Sequence, residues 1–330
     1  MKIFGIGNAL VDIMTSLESD NLLDTLNLPK GSMQIVNEET ITKALEKTKG
    51  LKQTLASGGS AANTISGLAN LGVETAFVGK VGSDELGDFF RNDMQKAGIN
   101  PQLLRSKAAT GTALALVSPD SERTFAVNLG AAIEMTANDI TPNLFEGYDY
   151  FHIEGYLVQN HSLIEKALKV AKSSGLKVSL DLASYNVVES NLDFLKRMVT
   201  EYVDIVFANE EEAKAFTQKS PEEALDLLAE ITEIAIVKIG AKGSYIKKGN
   251  EKHQVGVIKA NSIDTTGAGD LYASGFLYGL SKGLPLNVCG KIGALLSGKV
   301  IEVIGPKMSS ETWATLKEKV KLIETGDLDF

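Results

Sequence analysis

Short apolar segments of strand length alternate along the chain with longer segments in which apolar residues recur at helical spacing. Strands are predicted at 3–7, 73–79, 149–154, 177–181, 203–207, 234–239 and 244–247. Helices are predicted at 60–71, 84–97, 161–174, 190–200, 209–216, 221–230, 268–282, 286–303 and 309–323. This alternation predicts a mostly parallel sheet with helices on both faces, which binds ligands beyond the carboxyl ends of its strands.

Two stretches depart from this alternation and predict a second, smaller sheet that folds over the first. Short alternating strands are expected at 112–117 and 123–128, joined by a turn at 119–122. We therefore divide the chain into two units. The large α/β domain takes 1–12, 38–109 and 131–330, and a small β lid takes 13–37 and 110–130.

Composition narrows the classes of function. The chain has 330 residues, 44% of them hydrophobic, and its 33 Lys and Arg against 42 Asp and Glu give a net charge of −9. An acidic chain lacks the basic footprint of a nucleic-acid binder, so any phosphate must be bound locally.

Cys289 is the one cysteine, which excludes an intrachain disulfide, and the three histidines show no ligand spacing for zinc. With no long apolar run and no signal segment, we expect a cytoplasmic protein without a membrane span.

The most informative segment is Asp264-Thr-Thr-Gly-Ala-Gly-Asp270, which leads directly into small and apolar residues at helical spacing. Glycines just before a helix let backbone amides converge on an anion, and the helix N-terminus adds roughly half a positive charge. Asp270 is either a carboxylate that stabilises the helix start or a general base beside a transferring phosphoryl group. Asp264 is either a turn residue or a ligand of a monovalent cation.

Two further glycine-rich segments, Gly58–Asn63 and Gly79–Gly87, precede this loop. In content, order and separation the three segments resemble the signatures of the PfkB, or ribokinase-like, family of carbohydrate and nucleoside kinases. The resemblance covers essentially the whole chain. It implies a three-layer α/β fold with a central mostly parallel sheet and a small β-sheet lid, and it implies ATP, Mg²⁺ and, as a candidate, K⁺ as cofactors.

The resemblance implies that Asp270 is the catalytic base and that the amides of Gly267, Ala268 and Gly269 form the anion hole. Arg123 would bridge the transferred and leaving phosphates when the lid closes; the alternative is an ion pair with a surface carboxylate. Asp264 would hold the monovalent cation.

On the nucleotide side, the resemblance places Mg²⁺ and its waters at Asn209 and Glu212. The alternative is an ordinary helix N-cap followed by acidic residues. The strand and turn that contain Lys238, Gly240 and Gly243 would bind ATP, and so would Thr266.

On the acceptor side, Asp12 resembles the aspartate that accepts hydrogen bonds from sugar hydroxyls, and Asn8, Gly58, Gly59 and Asn63 match further acceptor positions. A carboxylate suits this task because it accepts both donors of a vicinal diol. The alternatives are a surface-loop aspartate at Asp12 and a polar residue in the first turn of a helix at Asn63.

Several segments are closer to adenosine kinases than to ribokinases, among them 5–12, 58–63, 122–132, 151–157 and 304–307. A nucleoside needs an apolar wall against its base, and alternate lid residues Phe125, Val127 and Leu129 would supply it, with Tyr156 stacking from the large domain. The alternative is that these side chains form the core of the lid. Adenosine is the favoured acceptor, while a sugar kinase for ribose, fructose or 2-keto-3-deoxygluconate and a kinase for inosine or guanosine stay open.

Three other classes fit the sequence less well. A dinucleotide-binding dehydrogenase lacks its third fingerprint glycine, since position 10 is Leu. The segment 293–300 nearly matches a P-loop, but Val300 lacks the hydroxyl for Mg²⁺ and the segment lies in a helical pattern. A non-catalytic module would not need Asp270 and its glycines. We expect a small-molecule nucleoside or sugar as the partner, no nucleic acid, and a monomer or homodimer.

Overall fold

Two β-sheets and the helices packed on them make up the computed structural model, which describes residues 1–120 and 122–330. Ser121, in the predicted turn at 119–122, lies outside the described residues. The strands are β1 (Lys2–Ile6), β2 (Leu10–Ser16), β3 (Met33–Ile35), β4 (Gln53–Gly58), β5 (Glu74–Gly82), β6 (Ile99–Ser106), β7 (Gly111–Val117), β8 (Arg123–Asn128), β9 (Tyr150–Glu154), β10 (Lys177–Asp181), β11 (Ile205–Asn209), β12 (Ile234–Lys238), β13 (Ser244–Lys248) and β14 (Glu251–Val255). The α-helices are α1 (Asn21–Leu26), α2 (Glu38–Thr48), α3 (Ser60–Asn70), α4 (Glu85–Lys96), α5 (His161–Ser173), α6 (Tyr185–Ser190), α7 (Leu192–Tyr202), α8 (Glu210–Thr217), α9 (Pro221–Ile231), α10 (Ala268–Ser281), α11 (Leu286–Val300) and α12 (Ser310–Thr325).

The large sheet has the strand order β14-β13-β12-β11-β10-β9-β1-β5-β6. From β12 to β6 the neighbouring strands are parallel, while β13 and β14 add an antiparallel edge. Successive residues of a central strand enter separate cores, since Ile3 packs with α3, α10 and α11 whereas Phe4 packs with α5 and α7. A strand with alternate residues buried on opposite faces needs a helical layer on each side. The predicted three-layer α/β arrangement is therefore confirmed.

The second sheet has the order β3-β8-β7-β2-β4 and is larger than the predicted lid. Gln53–Gly58, which the sequence analysis assigned to the large unit, runs antiparallel to β2 in the small sheet. Likewise, Ile41 and Ala44 of α2 pack with Leu114 and Ala126 on the outer face of this sheet. The assignment of 53–58 and of α2 to the large unit was wrong, because both elements belong to the small sheet. The strand β4 forms backbone hydrogen bonds with β2, and α2 covers the apolar outer face of the sheet.

Other differences arise at sheet edges and helix junctions. The edge strands β6 and β14 carry many polar residues, so neither showed the apolar run of a central strand. The predicted helix 190–200 corresponds to α7, and a short helix that was not predicted, α6, precedes it and meets it at Asn191. The near match to a P-loop at 293–300 lies inside α11, as its helical pattern indicated.

Helices α10 and α11 approach closely at Gly275, where a Cβ would lie 2.7 Å from the backbone nitrogen of Gly293. We expect Gly275→Ala to lower the free energy of unfolding by about 1–3 kcal/mol, because backbone atoms cannot move aside as a side chain can. Urea denaturation measures this. Gly256→Ala is the matched control, since the closest atom a Cβ would meet there is 4.0 Å away. An unchanged stability in Gly275→Ala would contradict the close contact.

Candidate active site

Polar side chains gather where the parallel strands of the large sheet end. Asn8 follows β1, while Glu154, Asp181 and Lys238 are the last residues of β9, β10 and β12. These four residues line a cavity of about 2210 Å³ that extends from the small sheet to the start of α10. Pockets for one small ligand usually measure about 300–1,000 Å³. The cavity is therefore large enough for two substrates side by side.

The segment Asp264–Asp270, here called the phosphate-loop segment, lines this cavity at the start of α10. Gly267 caps α10 in the left-handed region, with φ of +77°, and a Cβ there would lie 2.7 Å from Cβ of Pro306. The amide of Ala268 donates to the carbonyl of Thr265 at 3.1 Å, so this predicted anion-hole donor is already used in the turn. The amide of Gly269 lies in the first helical turn, where no carbonyl of the helix is available to it. The Nζ atom of Lys238 would lie 3.0 Å from a Cβ on Gly269, so an ammonium stands beside the helix start.

Asp270 points from α10 towards α3 rather than towards its own helix. Its Oδ1 accepts from Ser60 Oγ at 2.7 Å, and its Oδ2 accepts from Asn63 Nδ2 at 3.0 Å. Burial raises the pKa of Asp270 to about 6; both hydrogen bonds oppose this rise, the charge of Asp181 adds to it and that of Lys238 opposes it. A carboxylate that titrates close to neutral pH and faces a cavity has the properties of a general base.

Asn63 presents a free acceptor to the same place. Its Oδ1 is buried and has no hydrogen-bond partner among the residues that the structure describes. A buried carbonyl oxygen without a donor is costly unless a ligand or water supplies one. A donor from a water or a ligand, other than the hydroxyl whose proton Asp270 would take, is needed to satisfy it.

Asp12 lies on the inner face of β2 and lines the cavity. A Cβ on Gly58 of the neighbouring β4 would overlap its carboxylate, so glycine is needed there. Gly59 has φ of +102° and approaches the carbonyl of Asn8 closely. Burial raises the pKa of Asp12 to about 7; Lys307 opposes the rise and Asp270 adds to it. These contacts do not fit a surface-loop aspartate.

Glu154 binds Asn8, which follows β1, and the start of α3 through hydrogen bonds, and the sequence alone did not reveal this role. Its side chain is 1% exposed and accepts from the backbone nitrogen of Asn8 at 2.9 Å, from Asn8 Nδ2 at 2.7 Å and from the amide of Ala61 at 2.8 Å. Asn8, a predicted acceptor residue, therefore binds this carboxylate. A glutamate at the end of the buried strand Tyr150–Glu154 was the signal that could have revealed it.

Where a nucleotide is predicted to bind, Lys238 forms an ion pair with Asp181 at 2.8 Å. Asp181 is a second site residue that the sequence alone did not reveal. Burial opposes the charge of Lys238, but Asp181 and Glu212 hold its pKa above the usual range. Asn209 and Glu212 form a reciprocal capping box at the start of α8, with Asn209 Nδ2 donating to Glu212 Oε1 at 2.7 Å. The capping alternative is thus present in the structure.

The carboxylates beside Lys238 suit a hydrated Mg²⁺ rather than a directly bound one. Among the described residues, no group of three His, Cys, Asp or Glu side chains is placed to bind a metal directly. Glu212 and Asp181 nevertheless line the cavity beside Lys238, and burial raises the pKa of Glu212 to about 7. Mg²⁺ keeps several waters and takes its other ligands from one or two carboxylates and the substrate phosphates. The donor set fits a hydrated ion that arrives with a nucleotide.

Asp264 has a cationic partner in this structure. It forms an ion pair with Arg123 of β8, and it accepts from the amides of Thr266 at 2.8 Å and Gly305 at 2.7 Å. Burial opposes its charge, but these donors hold the pKa of Asp264 below its usual range. A guanidinium already neutralises the carboxylate, so the residues present do not fit the predicted K⁺ ligand. Arg123 shows the predicted alternative of an ion pair, although its carboxylate is buried rather than at the surface.

The inner face of the small sheet is mostly apolar. Register places Met14, Ala115, Phe125 and Met33 in one cross-strand row and Asp12, Ala113, Val127 and Ile35 in the next. Phe125 and Val127 thus share a face, while Leu129 follows the end of β8 and also lines the cavity. Met33 and Ile35 are 67% and 71% exposed, and they were missed because the short edge strand β3 gives little periodicity. Tyr156 lines the cavity from the large sheet and donates to the carbonyl of Ala183 at 3.3 Å.

The other residues predicted to bind a nucleotide also line the cavity. Gly240 and Gly243 flank the turn between β12 and β13, and the apolar side chains of Val257, Ile258 and Ile301 lie in the same region. Cys289 is buried against Gly279, between α10 and α11, and not in the cavity. No described helix is long and apolar enough to cross a membrane.

Comparison with known proteins identifies the class that this fold and site define. The model of the pfkB family of carbohydrate kinases matches residues 32–313. A solved probable sugar kinase from Rhizobium etli is 34% identical, with a TM-score of 0.85 and 99% of each chain covered. The adenosine kinase structure from Sinorhizobium meliloti is 32% identical, with a TM-score of 0.84 over 96% of this chain and 99% of that one. A 5-dehydro-2-deoxygluconokinase from Shouchella clausii is 29% identical over 88% of this chain and 92% of its own length.

The chain belongs to the PfkB family of carbohydrate kinases. It is therefore a phosphotransferase that acts on a hydroxyl group, and its relatives include sugar kinases and adenosine kinases.

We expect Asp270→Ala to lower kcat on the order of 10²-fold or more with a smaller effect on the KM of the acceptor, because the variant keeps the cavity but loses the base. ADP release under saturating substrates measures kcat. Glu324→Ala, which removes a carboxylate that Tyr278 contacts far from the cavity, is the control. Turnover at the wild-type rate in Asp270→Ala would refute the assignment.

The pH profile follows from the two raised pKa values, about 6 for Asp270 and about 7 for Asp12. Asp270 accepts a proton only when it is ionised, and Asp12 accepts two hydroxyl donors only when it is ionised. We expect kcat/KM for the acceptor to be constant above about pH 8 and to fall as the pH decreases through this range. A profile that stays flat down to about pH 5 would contradict it.

Proposed function

We propose that the chain is an ATP-dependent kinase that transfers the γ-phosphoryl group to the primary hydroxyl of a neutral nucleoside, with adenosine as the favoured acceptor. The observation that carries the proposal is the inner face of the small sheet, where Asp12 is the carboxylate of two rows that are otherwise apolar. A nucleoside matches this surface because its ribose presents vicinal hydroxyls and its base presents a flat, largely apolar face.

In this proposal the reaction occurs at the start of α10. Asp270 accepts the proton of the acceptor hydroxyl, and the side-chain amide of Asn63 holds the carboxylate in place. The N-terminus of α10 and the ammonium of Lys238 stabilise the charge that develops on the transferred phosphoryl group. Mg²⁺, held through water by Glu212 and its neighbours, would neutralise the phosphate charge of the bound nucleotide.

Charge supports a neutral acceptor over an acidic one. Asp12, Asp93 and Asp270 line the acceptor half of the cavity. The ammonium of Lys307 is a single positive charge that acts on all three carboxylates. Lys96 also lines the cavity, on the same helix as Asp93, and Arg123 of the small sheet is paired with Asp264. A carboxylate-bearing acceptor, such as the one named for the Shouchella clausii relative, would meet more negative than positive charge.

The Arg123–Asp264 ion pair joins the small sheet to the phosphate loop, and it supports the assignment of the small sheet as a lid. In the proposal, Arg123 keeps its ion pair with Asp264 and turns its other N–H donors to the phosphates of a bound nucleotide. The lid then stays closed over both substrates and excludes water during transfer.

A neutral sugar such as ribose or fructose is the second candidate acceptor, favoured by the 34% identity to the probable sugar kinase from Rhizobium etli. Asp12, Asn63 and Asp270 would serve it equally well. It would leave the apolar row of Met33, Phe125 and Met14 without a partner.

The test is Mg²⁺- and ATP-dependent ADP release with adenosine, inosine, guanosine, ribose, fructose, 2-keto-3-deoxygluconate and 5-dehydro-2-deoxygluconate. We expect the highest kcat/KM for a nucleoside, adenosine first. Turnover restricted to a sugar or a sugar acid would overturn the proposed acceptor while leaving the kinase chemistry in place.

The apolar wall gives a separate prediction. We expect Phe125→Ser to raise the KM of a nucleoside at least about tenfold and that of a free sugar much less, because only the nucleoside places a base on this wall. Steady-state kinetics with adenosine and ribose compare the two. Leu227→Ser, which changes an exposed apolar residue on α9 outside the cavity, is the control. Equal effects on both acceptors would show that the wall does not contact a base.

A further inference from the structure

Lys307 is a cavity residue for which the proposed mechanism has no task. It lies between α11 and α12 in a loop that is fixed on the phosphate-loop segment. The amide of Gly305 donates to Asp264 at 2.7 Å, and Pro306 packs against Gly267. The backbone of this loop is thus held beside the start of α10, and its lysine extends into the acceptor half of the cavity.

The ammonium of Lys307 rests on the helix that also holds the base. Its Nζ donates to Ser66 Oγ at 3.1 Å, and Ser66 lies three residues after Asn63 on α3. Residues three apart on a helix are neighbours on one face. Asn63 and Ser66 therefore lie on the same face of α3, where Asn63 binds Asp270 and Ser66, about one turn further along, binds Lys307.

Three carboxylates from three other elements line the same cavity and act on the charge of this ammonium: Asp12 on β2, Asp93 on α4 and Asp270 on α10. Asp93 accepts from the backbone and hydroxyl of Ser57, at 3.0 and 2.6 Å. Asp12 and Asp270 have vacant acceptor capacity and point into the cavity. Two carboxylates in one buried space raise each other's pKa, whereas a nearby cation lowers both.

Lys307 and the carboxylates act on one another's pKa in opposite directions. Burial lowers the pKa of Lys307, and the three carboxylates oppose that change. Conversely, Lys307 opposes the rise of the pKa of Asp12 caused by burial and by Asp270. The groups that act on Asp270 from the other side are Glu154, Asp181 and Lys238.

We propose that Lys307 is a positioning residue of the acceptor site: seated on Ser66 in the cavity that Asp12 and Asp270 line, its ammonium favours the ionised form of both carboxylates. Asp12 can then bind the acceptor while Asp270 takes its proton. The proposal rests on the proposed phosphoryl transfer, but it holds for a nucleoside or a sugar alike.

The test compares Lys307→Met, which removes the charge, with Lys307→Arg, which keeps it. Lys317→Met, which removes an exposed lysine of α12, is the matched control. We expect Lys307→Met to move the acidic limb of kcat/KM upward by about half a pH unit or more and to raise the KM of the acceptor severalfold, with the KM of ATP unchanged. Lys307→Arg should restore most of the shift, and Lys317→Met should match the wild type.

A second measurement does not depend on turnover. Carboxyl ¹³C NMR titration of protein labelled at aspartate, assigned with Asp12→Asn and Asp270→Asn, reads both pKa values directly. We expect at least one of them to rise in Lys307→Met, even if the proposed acceptor is wrong. A lysine that only stabilises the loop would lower the thermal midpoint and leave both pKa values in place, which would overturn the proposal.

Should Lys307→Met fail to fold, Ser66→Ala replaces it, because this change removes only the hydroxyl on which the ammonium rests. We expect the same direction of change at a smaller size. An acidic limb and aspartate pKa values identical to those of the wild type in Ser66→Ala would then overturn the proposal.

Discussion

The contact between α3 and α10 is the interaction on which the site depends. Ser274 Oγ of α10 donates to the carbonyl of Thr64 on α3 at 2.8 Å, and Thr64 Oγ1 donates to the carbonyl of Asp270 at 3.2 Å, so two hydrogen bonds join the helices. The chain from 60 to 70 and the chain from 264 to 281 are far apart in sequence. Their contact places the side chains of Ser60 and Asn63 on the carboxylate of Asp270, which lines the cavity at the start of α10.

Buried charge is the second constraint, and it is distributed over the carboxyl edge of the large sheet. Glu154 is satisfied by three donors, Asp181 by Lys238, and Asp264 by Arg123 and two amides. Each of these carboxylates acts on the backbone or on another charge, and so it supports the shape of the cavity. Asp12 and Asp270 retain acceptor capacity towards the cavity and are the groups available to a substrate.

Sequence alone predicted the three-layer fold, the position of Asp270 at a helix start and the shared face of Phe125 and Val127, because these follow from local periodicity and from glycine-rich segments. It did not predict Glu154 or Asp181, since the function of a strand-end carboxylate depends on which strands become neighbours. Met33 and Ile35 were missed because a three-residue edge strand has almost no pattern. The partner of Arg123 was left open because an ion pair between β8 and the loop before α10 is set by tertiary packing.

The most direct test of the α3–α10 contact is kcat for Asn63→Ala, Asp270→Asn and the double variant, compared in one double-mutant cycle. If α3 acts on catalysis by holding the base, the double variant should be about as slow as Asp270→Asn alone, because the effect of Asn63 passes through Asp270. Effects that multiply in the double variant would mean that the two residues act independently. That result would contradict the central role of the contact between α3 and α10.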